Sequence, residues 1–521
     1  MKTNQILIKS NQVFYITGKT GLSVQIKHKD EIIPVDIQIN VNEKDQIIIR
    51  SFSTPNEELN PNKKIKAFLE FINPWDQLIF CRWIQHEQAE EFVIDFKPNL
   101  ISGQYKLHYS SETYDKYWFF DYQGRYATCS WLVKVRVIAS LEPNYKISIA
   151  LPVEYYPYTQ IKEINPLNSK EISTDGINIW LNMDQNISDL KKVVFGYNAI
   201  IKQEYLLFHP NVLKVNQKYS KEKYRNYLKS EKGIETNDQY VRQFGEIING
   251  KTVFGKIYQI AIIIHSHLKY KLQNGEFGAK YAVLNRQGDC TEYAALFVTL
   301  CRQKGIPARL VAGFKLDFNS KDQWIRHAWA EFSFEEIWVP IDILEGFIIG
   351  NLPDLIPIFR GNWIGENHLQ ELRIQIKDEL SKERHKNLNI EINSEIKELE
   401  YNKLSELAIK EHQVTSNINL VEIVKISNKN KLKLNLEIKI PKNVYNLIIF
   451  FTKSNLKSKE EVLYPKIIIY CKKIEIQKET EAREMIIDIP PIYADIIKIG
   501  MFISDYKGKK IGYSEKMLEM S

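Results

Sequence analysis

The chain has 521 residues, of which 44% are hydrophobic and 26% are charged. This composition is ordinary for globular domains and excludes general disorder, and the length is enough for roughly three to five domains. The formal net charge of +7 is too small over this length to indicate nucleic acid or an anionic membrane surface as a partner.

Short β-rich segments separated by turn residues fill the first part of the chain. Residues 1–122 are predicted to form an N-terminal β domain, and residues 123–220 a second β-sandwich module. Within the second module, Trp131, Val133 and Val135 occupy alternate positions. Such alternation predicts a strand that buries one face in a core.

Helical periodicity first appears in the segment 221–350. One predicted helix carries an apolar face made of residues at helical spacing, namely Val253, Ile257, Ile260, Ala261 and Ile264. A second helix is predicted from Cys290 to Lys304, with Gly305 directly after it as a terminator. Cys301 lies within this helix and is expected to be a core residue.

The segment 271–286 precedes the second helix directly. It contains Gly275 and Gly278 and has no apolar periodicity, which predicts a loop. Because the loop ends beside Cys290, we expect it to border any cleft formed there, either as a lid or as a loop fixed by packing.

The last third of the chain begins with a charge-rich stretch. Ile392, Ile396 and Leu399 lie at helical spacing, and residues 351–415 are therefore predicted to be a helical, charged linker region. Apolar alternation returns in residues 416–521, which predicts a C-terminal β-sandwich.

The five cysteines are sparse and widely spaced along the chain: Cys81, Cys129, Cys290, Cys301 and Cys471. This pattern indicates neither a disulfide framework nor a zinc site, and neither a metal nor a cofactor is expected. No apolar run is long enough for a membrane span, and no signal peptide is recognised at the start. The expected location is the cytoplasm, or outside the cell if the chain is a processed form.

One segment combines a cysteine, a histidine and an aspartate in that order, Cys290, His327 and Asp342. A thiol attacks a carbonyl as its thiolate, and the start of a helix favours an anion. If the strands on either side of a tight turn at residues 335–336 pair, His327 and Asp342 share one face of a hairpin, with backbones roughly 7–8 Å apart. The three side chains are therefore candidates for a nucleophile, a base and a carboxylate that orients the base.

At these residues the chain resembles the transglutaminase-like superfamily over about residues 237–345. The motifs that carry the resemblance are Gly288-x-Cys290-x-Glu292, the run Gly305–Arg309, the run His327–Trp329, and Trp338 followed by Asp342. The resemblance implies an α+β, papain-like catalytic core, which we expect over residues 221–350. The strand patterns described above predict the N-terminal and C-terminal β-sandwich domains that flank it. It also implies acyl transfer on amides, with Cys290 as nucleophile, His327 as base and then acid, and Asp342 as the residue that orients His327.

Further residues have supporting roles that stay open at this point. The Cys290 backbone N–H is one expected oxyanion donor, and members of the superfamily often add a side-chain donor, for which Gln287 and Tyr281 are the two candidates. Trp329 either walls the cleft or packs in the core. Glu292 is a second catalytic carboxylate, a first-turn partner of the helix dipole, or the partner of Arg309 in a salt bridge.

Three functions are compatible with these residues. The first is a peptidase or amidase that hydrolyses a thioester acyl-enzyme, and the second is a transamidase that joins a glutamine side chain to an amine. The third is a catalytically inactive scaffold that keeps the fold. A protein or peptide substrate is the expected partner, and the β-sandwich domains are candidates for binding a polymer or a protein.

Overall fold

The computed structural model divides the chain into two compact units, Met1–Tyr126 with Glu345–Ile348, and Ala127–Leu344 with Ile349–Ser521. Within the described residues, strands predominate, and the four α-helices gather between residues 239 and 303. In the same part of the chain, no helix combines the length and the apolar character that a membrane crossing requires. The described residues are 14–17, 20–28, 31–34, 38–41, 46–53, 66–72, 78–85, 90–95, 103–110, 115–122, 128–141, 145–155, 158–169, 171–184, 191–204, 206–317, 323–344, 348–351, 354–361, 372–376, 389–398, 418–425, 431–453, 466–478, 480–488, 496–504 and 510–519.

The first unit consists of strands in its described part. They are β1 Phe14–Thr17, β2 Thr20–His28, β3 Glu31–Pro34, β4 Gln38–Val41, β5 Gln46–Ser53, β6 Lys66–Ile72, β7 Leu78–Gln85, β8 Glu90–Asp95, β9 Gly103–Ser110 and β10 Asp115–Tyr122. One sheet has the order β1-β2-β5-β8 with β3 paired to β2, and the other has the order β4-β10-β9-β6-β7. Along β9, Tyr105, Leu107 and Tyr109 are fully buried, so alternate residues of this strand build the core of the unit.

The second unit contains all of the α-helices in the described residues. They are α1 Gln239–Gly245, α2 Val253–His267, α3 Gly278–Asn285 and α4 Cys290–Gln303. Its strands are β11 Thr128–Leu141, β12 Tyr145–Leu151, β13 Thr159–Leu167, β14 Glu171–Thr174, β15 Ile179–Asp184, β16 Lys191–Glu204, β17 Leu206–Phe208, β18 Lys269–Tyr270, β19 Gln287–Gly288, β20 Ala308–Asp317, β21 Gln323–Phe334, β22 Ile337–Asp342, β23 Ile348–Asn351, β24 Leu355–Gly361, β25 Leu372–Ile376, β26 Asn389–Glu398, β27 Ile418–Lys425, β28 Lys431–Lys439, β29 Asn443–Lys453, β30 Lys466–Ile476, β31 Thr480–Asp488, β32 Ile496–Ser504 and β33 Lys510–Glu519.

The first part of this unit forms two sheets, with the orders β13-β16-β11-β26 and β14-β15-β12-β25. Along β11, Trp131, Val133 and Val135 are buried, while the residues between them are partly exposed. The alternation predicted for this strand is therefore confirmed.

Both sheets are completed by strands that come from much later in the chain, where the sequence predicted a helical linker. That prediction is wrong for residues 355–361, 372–376 and 389–398, because they form β24, β25 and β26. Strand β26 is antiparallel to β11. Ile392 pairs with Val137 and Ile396 with Val133. A spacing of four residues fits the period of a helix and also twice the period of a strand, and here the pairing with β11 decides between them.

The helix predictions around the candidate site are confirmed. Thr252 caps α2, its Oγ1 accepting a hydrogen bond of 3.0 Å from the Gly255 N–H. The five residues predicted for the apolar face of α2 are all buried. Helix α4 is buried from Thr291 to Arg302, including Cys301. Gly305, with φ +73°, adopts the left-handed conformation that ends such a helix.

The sheet that carries the candidate site is antiparallel around β20, β21 and β22, and α4 packs against β20 and β21. Phe334 pairs with Ile337 across Glu335 and Glu336, as predicted. Both glutamates have positive φ, +48° and +69°, which is the geometry of a type I′ hairpin turn. This turn fixes the register, and a slip by one residue would move Asp342 to the other face.

The same sheet continues beyond the site region into the C-terminal strands. Its order is β24-β20-β21-β22-β23-β17-β30-β29-β32-β33, so β17 joins the two parts. The strands β27, β28 and β31 form a separate three-stranded sheet in the described residues.

Candidate active site

Cys290 is the first residue of α4, and its neighbours explain why the helix begins there. The Asp289 Oδ1 accepts a hydrogen bond of 3.0 Å from the Thr291 N–H, and the Glu292 Oε2 accepts one of 3.1 Å from the Asp289 N–H. This reciprocal arrangement is a capping box, which satisfies backbone donors at a helix start. Cys290 is only partly buried, so its thiol is presented at the positive end of an otherwise buried helix.

His327 and Asp342 lie on neighbouring strands and are joined by a hydrogen bond. The His327 Nε2 donates to the Asp342 Oδ2 at 2.7 Å, and both side chains are buried. The other Asp342 oxygen, Oδ1, accepts from the Leu344 N–H at 3.1 Å. Since Nε2 is bonded to Asp342, Nδ1 is the ring nitrogen that remains for Cys290.

The electrostatic surroundings of His327 favour its protonated form. Burial by itself would lower the pKa of His327, but the negative charge of Asp342, the hydrogen bond to it, and the hydrogen bond and charge of Cys290 outweigh burial. Together they raise the pKa from the usual 6.5 to about 10. The arrangement therefore stabilises an imidazolium next to the cysteine.

A cleft of about 260 Å³ opens beside Cys290 and His327. One wall consists of the segment 272–276 with the start of α4, and the other consists of small and polar residues of β20 and β21. The residues that line the cleft are Leu272, Gln273, Gly275, Glu276, Asp289, Cys290, Thr291, Ala312, Gly313, Arg326, His327 and Ala328. The expectation that segment 271–286 borders a cleft is thus confirmed.

The same segment differs from its prediction in two respects. It is not a loop throughout, because residues Gly278–Asn285 form α3. It is also tied to the start of α4, since the Gln273 N–H donates to the Asp289 Oδ2 at 3.1 Å and the Phe277 N–H donates to the Glu292 Oε1 at 2.9 Å. These hydrogen bonds favour a segment that is fixed in place over one that opens and closes as a lid.

Glu292 does not form the predicted salt bridge with Arg309. Arg309 pairs instead with Glu331, whose Oε2 accepts from the Arg309 Nε at 2.7 Å, and Arg360 reaches the other Glu331 oxygen at 3.0 Å. Glu292 is fully buried. The two hydrogen bonds described above, from the Asp289 N–H and the Phe277 N–H, both come from the backbone. Burial, with the charge of Asp289, raises the pKa of Glu292 to about 7 against the opposing effect of the backbone donors.

The two candidate oxyanion side chains lie in one hydrogen-bonded chain. The Gln287 Nε2 donates to the Tyr281 Oη at 3.0 Å, and the Tyr281 hydroxyl donates to the Gln273 Oε1 at 3.0 Å. Gln273 lines the cleft, whereas Gln287 and Tyr281 are outside the set of lining residues. Sequence reasoning missed Gln273, which lies 17 positions before the cysteine and carries no motif that marks it.

Trp329 lies beside His327, with ring centroids 6.0 Å apart and an angle of 20° between the ring planes. Trp329 is buried and is not among the residues that line the cleft. It therefore packs against the histidine in the core and does not form a wall of the cleft. No group of three or more His, Cys, Asp or Glu side chains in the described ranges is arranged to hold a metal ion.

Comparison with known proteins agrees with this geometry at the level of the family. Two similar solved structures are a candidate cysteine protease from Cytophaga hutchinsonii, 16% identical over 53% of this chain and 92% of that chain, with a TM-score of 0.38, and the transglutaminase of red sea bream, 9% identical over 93% of this chain and 81% of that chain, with a TM-score of 0.17. These scores are too low to carry an argument. A search of curated proteins gave no match. Residues 242–343 match the family model of the Transglutaminase-like superfamily, so this part of the chain is a transglutaminase-like core.

Proposed function

We propose that the chain is a cysteine-dependent enzyme that hydrolyses amide bonds in peptides or proteins through a thioester acyl-enzyme. The observation that carries the proposal is the pairing of a partly exposed cysteine at a helix start with a buried histidine whose other nitrogen is held by Asp342. In this proposal Cys290 is the nucleophile, His327 the acid and base, and Asp342 the residue that positions His327.

In the first half of the reaction, the Cys290 thiolate attacks the carbonyl carbon of the substrate amide. A C–S bond forms while the carbonyl π electrons move to the oxygen, and the backbone N–H of Cys290 at the helix start is one donor for that oxygen. The His327 imidazolium then gives its proton to the amide nitrogen. The C–N bond breaks, the amine leaves, and a thioester remains on Cys290.

In the second half, neutral His327 removes a proton from a water molecule as its oxygen attacks the thioester carbon. The C–S bond breaks, the electron pair returns to sulfur, and the acyl group leaves as a carboxylic acid. His327 keeps the proton, which restores the thiolate–imidazolium pair for the next cycle.

The cleft supports hydrolysis over transfer to a second amine. Its walls include Leu272 and Arg326, which are both exposed to solvent. We take this openness as support for attack by water, because a transamidase must keep water away from its thioester.

We also propose a role for the strands that lie outside the transglutaminase-like core. The sheets of the first unit, and the sheets that contain β11 and β12, are the elements from which β-sandwich domains would be built. Their proposed role is to bind the protein or polymer on which the core acts.

The test is a product analysis of the purified chain with casein as substrate and a fluorescent primary alkylamine present. Hydrolysis predicts new peptide termini by mass spectrometry and little incorporated amine. Cys290→Ala should lose these products, while Cys471→Ala, which removes a buried cysteine far from the cleft in sequence, should keep them. Amine incorporation that exceeds hydrolysis would assign the chain to the transamidases, and termini that persist in Cys290→Ala would refute the mechanism.

A further inference from the structure

Large apolar side chains are exposed in the segment that precedes α4. Leu272, which lines the cleft, is 75% exposed, and Tyr270 and Phe277, on either side of it in the sequence, are 58% and 46% exposed. We call these three residues the apolar rim. Single exposed apolar residues are common on protein surfaces, but Leu272 borders the cleft itself, where the side chain of a ligand can cover it.

The apolar rim is held in place in the absence of any ligand. Tyr270 belongs to β18, which pairs with β19 next to the start of α4. The Lys271 N–H donates to the Gly288 carbonyl oxygen at 2.9 Å, and the Phe277 ring stacks on the Tyr281 ring with centroids 4.5 Å apart. Because the backbone is fixed, binding there costs little ordering entropy.

The chemistry of the proposed reaction assigns this wall to one side of the substrate. The leaving amine must take its proton from His327, which belongs to the β20 and β21 wall. The acyl part stays on Cys290 and extends along the other wall, where Leu272 lies. The residues on the acyl side of the scissile amide thus meet the apolar rim.

We propose that the apolar rim is a specificity subsite for large apolar side chains on the acyl side of the scissile amide. This inference rests on the proposed function and names the substrate class of the same site, which is a peptide with leucine-like residues before the cleaved bond. Covering Leu272 with such a side chain removes apolar surface of both partners from water.

The test uses two irreversible probes, acetyl-Leu-Leu-chloromethyl ketone and acetyl-Gly-Gly-chloromethyl ketone. Each forms a C–S bond to Cys290 as chloride leaves, and the rate of labelling is measured by mass spectrometry. In the wild type the leucine probe should react roughly 10-fold faster or more, which is the discrimination expected of an apolar pocket. Leu272→Ser should bring the ratio of the two rates towards one.

Leu284→Ser is the matched control, because Leu284 is 49% exposed on α3 and is outside the set of residues that line the cleft. It should keep the wild-type ratio. Iodoacetamide, which is too small to reach the rim while it reacts, should label Cys290 equally in the wild type and in Leu284→Ser. For each protein, the rate of each chloromethyl ketone is divided by the iodoacetamide rate of the same protein.

The outcomes separate this inference from the function on which it rests. Equal rates for both probes in the wild type, with Cys290 still labelled by iodoacetamide, would overturn the subsite and leave the proposed function standing. Failure of every reagent to label Cys290 selectively would overturn both. Self-association that Leu272→Ser abolishes, together with equal probe rates, would assign the rim to a second copy of the chain and overturn the subsite.

Discussion

The replacement Asp342→Asn tests the electrostatic account of the site most directly. In the wild type, Asp342 and the neighbouring cysteine raise the pKa of His327 to about 10 although burial opposes the shift. The difference from 6.5 corresponds to roughly 5 kcal/mol of net stabilisation of the imidazolium, which remains after its partners have offset the cost of burial. With the charge of Asp342 removed, burial becomes the dominant remaining influence and lowers the pKa of His327.

The expected consequence for activity follows from the protonation state. If the pKa of His327 falls to 6.5 or below, at most about one ring in ten is protonated at pH 7.5. An asparagine can also stabilise the tautomer whose proton lies on the wrong nitrogen. We therefore expect kcat/KM to fall on the order of 10²–10⁴-fold, measured from pH 6 to 10 with a peptide substrate.

The same replacement has a signature in stability. A histidine whose pKa is raised in the folded state contributes stability that is fully present below pH 6.5 and is lost as the pH rises through about 10. In urea titrations, the wild type should lose unfolding free energy over this window, and Asp342→Asn should lose much less of it. Parallel curves for the two proteins would refute the reasoning, since other titrating groups are common to both.

Three further outcomes are expected. Iodoacetamide should label Cys290 before Cys301 and Cys471, because Cys290 is partly exposed at the cleft whereas the other two are buried, and equal labelling of the three would contradict this. Cys290→Ala and His327→Ala should each abolish turnover, and the double variant should be hardly slower than either, because the two residues act in one step; additive losses would indicate independent roles. Glu331→Gln should cost about 3–5 kcal/mol in urea unfolding, because it leaves the buried charges of Arg309 and Arg360 without their carboxylate; a loss below about 1 kcal/mol would show that the cluster is not needed for stability.

The geometry of His327 and Asp342 could be predicted from the sequence because it depends on short-range rules. Side chains of a strand alternate between faces, and the tight turn at Glu335 and Glu336 sets the pairing. Both rules act within sixteen residues, so no distant contact can change the outcome.

The partners of β11 and β12 could not be predicted in the same way. The strands β25 and β26 join sheets whose other members lie about 200 positions earlier in the chain. The apolar positions of residues 389–398 fit the period of a helix and also that of a strand, and no local sequence signal favours either structure. Only the unpaired edge of β11, which is a property of the folded module, selects the strand.

Glu292 shows a second limit of sequence reasoning. A carboxylate two residues after a candidate nucleophilic cysteine suggests acid–base chemistry or an ion pair, because charged side chains can be read from a sequence and backbone hydrogen bonds cannot. In the structure, Glu292 accepts hydrogen bonds from the backbone N–H groups of Asp289, Phe277 and Gly278. Glu292 therefore joins the start of α4 to the cleft wall through backbone N–H donors. Almost every residue type carries such a donor, so the sequence does not mark them.

The structure explains why the same motif contains a glycine at position 288. A Cβ at Gly288 would lie 2.4 Å from the Glu292 Cβ, so only glycine lets the glutamate fold back beneath the capping residue. Gly288 and Glu292 are thus needed together, the first for space and the second for hydrogen bonds. The cysteine between them is positioned by this pair, and the catalytic chemistry proposed for Cys290 requires no proton transfer by Glu292.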